Sequence, residues 1–79
     1  IKKGESITLV ADTSMLHIIA NGTWDNGTAK PAVEPGAPVV KDVQLNGNGS
    51  VVIGSFPTAG TFKLYCTIHS GMNLTVVVQ

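Results

Sequence analysis

The chain has 79 residues, 43% hydrophobic and 13% charged, and its five basic and five acidic residues give a formal net charge of zero. That length holds one small domain, residues 1–79, apolar enough to build a core and too apolar for a disordered tail. The balanced charge, with no basic run longer than Lys2-Lys3, argues against nucleic acid or an anionic membrane surface as partner; the single cysteine excludes an internal disulfide, and no apolar run approaches the roughly 20 residues of a membrane-spanning helix.

The chain opens mid-pattern at Ile1, as a processed or excised domain would, so any export signal or anchor is expected to have been removed. Gly4-Glu5-Ser6-Ile7-Thr8-Leu9-Val10 alternates polar and apolar residues and reads as a strand, followed by turn chemistry in Asp12-Thr13-Ser14. Met15 to Ala20 is a short apolar run carrying His17 at its entrance, a buried strand that Asn21-Gly22 is expected to end. Gly22 to Pro38, with three prolines and three glycines, reads as a long loop whose one large apolar residue, Trp24, could pin it to the core. Val39 to Leu45 is a β-branched run, and Asn46-Gly47-Asn48-Gly49 is a hairpin signal before Ser50 to Phe56, which predicts two antiparallel partners. Pro57-Thr58-Ala59-Gly60 is a further turn. Thr61 to Cys66 then alternates with Phe62, Leu64 and Cys66 on one inward face, and Thr75-Val76-Val77-Val78 supplies the last strand. No segment carries a helical stripe. Strands with turn signals between them predict an all-β fold, a small antiparallel Greek-key β-sandwich.

The chemistry concentrates in Cys66-Thr67-Ile68-His69-Ser70-Gly71-Met72, between the last two strands. A thiol, an imidazole and a thioether follow one another at intervals of three, so a tight turn can aim them at one point. Soft sulfur with imidazole favours copper over magnesium or calcium; zinc would accept Cys66 and His69 but has little use for Met72. Two His, one Cys and a long axial Met make the blue-copper arrangement, and the one other histidine, His17, stands 49 positions before Cys66. Taken singly, such residues are more often a buried hydrophobe, a satisfied imidazole and a gap filler. Their clustering in one turn, with the chain's only cysteine, favours the metal reading. Met15 and Trp24 read as core or surface-patch residues. Four Asn-X-Ser/Thr triplets, at Asn21, Asn26, Asn48 and Asn73, are read as turns, because a glycan on Asn73 would crowd the metal.

Two motifs resemble the cupredoxins, the small type 1 blue copper proteins. Phe56, Gly60, Phe62, Tyr65, Cys66, His69 and Met72 look like the family's F-x-x-x-G-x-[FY] strand leading into its C-x-x-H-x-x-M loop. Gly4-Glu5-x-Ile7-Thr8 followed by His17 is similar to the strand before the family's first histidine ligand. The resemblance implies one type 1 copper ion, with His17, Cys66 and His69 as equatorial ligands and Met72 as axial ligand. Three positions depart from the family pattern. Leu16, Ile18 and Ile68 stand where Pro, Asn and Pro are frequent, and the Asn would tie the first ligand strand to Thr67; Asn21 is the candidate replacement.

The function this implies is electron transfer, cycling Cu(II)/Cu(I) between redox partners that dock near His69, by a monomer working outside the cytoplasm, periplasmic or cell-surface/secreted. The alternative is a copper-binding carrier or sensor with no electron-transfer role. An enzyme is not expected: Tyr65 and Thr67 flank Cys66 where copper oxidases place histidines, and a dinuclear copper site would need a second Cys.

Overall fold

A computed structural model describes all 79 residues, Ile1–Gln79. Seven strands form and no helix: β1 (Ile7–Val10), β2 (His17–Asp25), β3 (Thr28–Pro31), β4 (Val43–Leu45), β5 (Ser50–Ile53), β6 (Gly60–Cys66) and β7 (Asn73–Val78). All pairings are antiparallel. One sheet is β1 paired with β5; the other runs β3-β2-β6-β7, with β4 also on β2. The chain crosses between sheets after β1, after β4 and after β5, which gives the antiparallel sandwich that the spacing of strands and turns predicts.

Alternation decides which residues fill the space between the sheets. Phe62, Leu64 and Cys66 on β6 and Val76 and Val78 on β7 are buried, while Thr61, Lys63, Thr75 and Val77 face out. They meet Ile19 of β2, Val40, Ile53 and Phe56, with Ile7, Leu9 and Val51 of the smaller sheet packed against them. Phe56 and Leu64 are fully buried, each stabilising the fold by roughly 1.5–3 kcal/mol relative to exposure. Cys66 belongs to this core, so the candidate metal centre grows from the end of the packed interior.

Two expectations are corrected. Asn21-Gly22 does not end β2, and residues 22–38 are not one long loop. β2 runs on to Asp25 and turns at Asn26 (φ 50°) and Gly27 (φ 78°) into β3, pairing Asp25 with Thr28 and Gly22 with Pro31. Two consecutive positive φ values suit an Asn-Gly hairpin turn. Gly22 itself has φ 131°, and a Cβ there would run into the Lys30 carbonyl and come within 2.8 Å of the Pro31 Cα, so only glycine lets β3 lie this close. The second correction concerns Asn46–Gly49, which does not close a hairpin between β4 and β5. β4 pairs with β2, β5 pairs with β1, and the segment is an arch between sheets, held where the Asn48 N–H donates to the Thr13 carbonyl at 2.8 Å. Val39 to Leu45 is strand only over Val43–Leu45.

Candidate metal centre

Register brings the distant histidine to the cysteine. Ile19 pairs with Val43 on one side and with Cys66 on the other, so β2 is clamped between β4 and β6. His17, two residues before Ile19, is thereby carried past the end of β6 and over the turn that follows Cys66. The turn folds on its own backbone: the Cys66 N–H donates to the Met72 carbonyl at 3.0 Å, the Met72 N–H to the His69 carbonyl at 3.2 Å, and the His69 N–H to the Cys66 carbonyl at 3.4 Å. Gly71, at φ 78°, supplies the left-handed residue that closes it.

The result is a cluster of three donors. One ligand atom each from His17, Cys66 and His69 lies within 4.8 Å of the others. The Cys66 Sγ is 3.2 Å from the His69 Nδ1, and the two imidazole rings meet edge to face with centroids 5.0 Å apart. Atoms bonded to one ion at about 2.0–2.3 Å stand within about 4.5 Å of one another, so the set is close to bonding distance before any ion arrives. The buried Nδ1 of His17 has no hydrogen-bond partner in the protein. An orphaned buried nitrogen costs roughly 1–3 kcal/mol, and a bound ion would remove that cost. Cys66 is a free thiol, 1% exposed. Met72 lines, with His17, Cys66 and Asp12, a cavity of about 230 Å³ walled by Leu9, Leu45 and Leu64. A thiol, two imidazoles and a neighbouring thioether fit copper better than any hard cation.

The departure at Ile18 is met by the backbone. Ile18 cannot offer a side-chain hydrogen bond, but its carbonyl accepts from the Thr67 N–H at 2.7 Å, and this ties the two ligand segments together. Asn21 does not replace it. The buried Asn21 side chain donates to the Pro38 carbonyl at 3.0 Å and accepts from the Val40 N–H, fastening the crossover that leads into β4.

Two residues at the centre carry no ligand signal in the sequence. The Trp24 indole donates to the Cys66 carbonyl at 2.8 Å. The Asn73 side chain accepts from the Trp24 N–H at 2.7 Å and donates to the Trp24 carbonyl at 3.2 Å. Asn73 directly follows Met72, and that adjacency is its one signal in the sequence; Trp24 offers none at this site. On the β2–β3 hairpin the Lys30 ammonium bonds Asp25 at 2.8 Å, and that hydrogen bond, with the Lys30 charge, holds the Asp25 carboxyl below the usual aspartate range.

Comparison with known proteins agrees with this chemistry. The family model described as copper binding proteins, plastocyanin/azurin family, matches residues 1–79. Plastocyanin from Ulva prolifera is 33% identical over 78 residues, covering 96% of this chain and 76% of its own length. No solved structure gives a significant match.

Proposed function

The chain belongs to the plastocyanin/azurin family of copper-binding proteins, the cupredoxins, and from that premise we propose that it carries single electrons between redox partners and catalyses no reaction of its own. In this reading residues 1–79 are one cupredoxin domain, and His17, Cys66 and His69, with the Met72 thioether as a weaker fourth donor, would hold one copper ion. Bound copper supplies a one-electron couple. The protein's own part is to hold its donors still. Two strands, the closed turn and the Thr67–Ile18 bond fix the three close donors beforehand, so little has to rearrange when the charge changes. Core packing around Cys66 keeps water from the thiol.

The observation that carries the proposal is the convergence of His17, Cys66 and His69, with the orphaned His17 Nδ1 among them. Around them Met15, Leu16, Ile68 and Met72 are each at least 40% exposed, an apolar rim that suits docking of a partner against the half-exposed His69. Zero net charge fits, since little long-range steering is available and short-range contact must orient the partner. In this reading the protein works outside the cytoplasm, as the plastocyanin relative suggests, and as a monomer. Cyclic voltammetry in the presence of a copper chelator tests the role. An electron carrier cycles repeatedly without losing metal, whereas a copper carrier or sensor surrenders it in the reduced or oxidised state, and that loss would overturn the proposal.

A further inference from the structure

We propose that Trp24 is a positioning residue for the metal centre, a latch that holds both ends of the ligand turn to the β2–β3 hairpin. The inference rests on the copper reading above. Trp24 is the chain's only tryptophan, half-buried near the end of β2. Apart from the Thr23 hydroxyl, which donates to its carbonyl at 3.2 Å, its hydrogen bonds go to the two residues that bracket the turn. The indole Nε1–H donates to the carbonyl of Cys66, where the turn begins, and the main chain exchanges two bonds with the side chain of Asn73, where it ends. The ring also meets Tyr65, the residue before Cys66, edge to face at 5.9 Å and 88°.

The turn needs such a tie. Ile68, Ser70, Gly71 and Met72 are exposed, so burial does little to hold them. Segments with few buried contacts open locally unless hydrogen bonds restrain them. Within the turn the backbone bonds run to one another. Beyond the β2–β6 and β6–β7 pairings that reach Cys66 and Asn73, outward ties come from Ile18, which takes the Thr67 N–H, and from Trp24. The Ile18 tie holds the near side of the turn alone. The Trp24 tie acts at both ends and sets the rotation of the peptide after Cys66, because that carbonyl accepts the indole N–H at 2.8 Å together with the longer bond from the His69 N–H at 3.4 Å. Rotation of that peptide swings His69 relative to the Cys66 Sγ. A half-exposed tryptophan could give its N–H to water; here it is spent on the one carbonyl whose orientation the donor set depends on.

The test uses the full chain, metal-free and copper-loaded, with two variants. Trp24→Phe keeps an aromatic ring against Tyr65 and removes the indole donor; Asn73→Ala removes the other two bonds and leaves the tryptophan in place, so it carries the test if the first variant does not fold. In the metal-free protein, amide exchange at Cys66, Thr67 and Met72 is expected to quicken about fivefold or more, the factor that losing one hydrogen bond of ordinary net strength gives, while Phe62 and Leu64 in β6 keep their wild-type rates. In the copper-loaded protein, the visible spectrum and the reduction potential are expected to shift in the same variants. Unchanged exchange in the turn, or a rise shared equally by Phe62 and Leu64, would show Trp24 to be packing alone and overturn the latch. Selective loosening with an unaltered spectrum and potential would overturn its positioning role. Absence of a thiolate-to-copper band in the wild-type protein is a different result, read before any variant is made, and it overturns the copper reading itself.

Discussion

Replacing Asn21 by Leu tests how the crossover into β4 is held. The side chains are of similar volume, and Asn21 is only 4% exposed, so the substitution fits the space and deletes two hydrogen bonds. Val40 is 5% exposed, and leaving its buried N–H without a partner costs about 1–3 kcal/mol. The half-buried Pro38 carbonyl loses about 0.5–1.5 kcal/mol, since water can reach it in part. The added apolar surface of leucine offsets about 1 kcal/mol. The net loss is about 2 kcal/mol against a total stability of about 4–12 kcal/mol for a domain of this size, or a melting temperature lower by about 8–16 °C. Urea unfolding of the metal-free protein measures the first quantity and calorimetry the second, while amide exchange locates the loss. Val40 should exchange faster and Thr67 should not. A loss under about 0.5 kcal/mol would refute the reasoning, and so would an effect that appears at Thr67, because that would make Asn21 the tie of the ligand turn.

Three further outcomes are expected. Met72→Gln should lower the reduction potential, because a harder oxygen ligand favours Cu(II), while copper stays bound through His17, Cys66 and His69; voltammetry showing an unchanged or raised potential contradicts the axial role. Ile68→Glu should slow electron self-exchange by setting like charges face to face between two copies; with Ile68 52% exposed, the melting temperature and copper spectrum should stay as in the wild type, and an unchanged exchange rate argues against docking at this rim. For Asp25, whose folded-state carboxyl is held low by Lys30, the stabilisation is present above the ordinary aspartate range and is lost as pH falls through the folded value. The urea midpoints of wild type and Asp25→Asn should therefore differ slightly at neutral pH and converge in acid, and a gap that persists in acid excludes this ion pair as its source.

Local patterns were legible in the sequence and long-range choices were not. The alternation of Phe62, Leu64 and Cys66 announced an inward cysteine, because burial on one face of a strand is written two residues at a time. The closeness of Cys66 and His69 was legible because both lie in one turn. Asn26-Gly27 reads as a turn but its flanks do not read as strands, because Thr23, Asp25, Thr28 and Lys30 show no apolar alternation; that hairpin is specified by the turn and by the close approach at Gly22. At Asn46–Gly49 the same residue types mark an arch, and whether the next strand returns to its neighbour or crosses to the facing sheet depends on β1 and β2, far away in sequence. His17 was assigned by chemistry, and the Ile19–Cys66 register supplies the reason it arrives. The Trp24–Asn73 latch joins residues 49 positions apart and has no local signature.

The most direct measurement is the visible spectrum of the metal-free protein on addition of one equivalent of Cu(II), for the wild type and for Cys66→Ser. If copper binds through the thiolate of Cys66 beside His17 and His69, the wild type develops an intense charge-transfer band and Cys66→Ser develops none. No band in the wild type, or the same band in Cys66→Ser, would contradict the assignment, because the chain holds no other group that can form a thiolate.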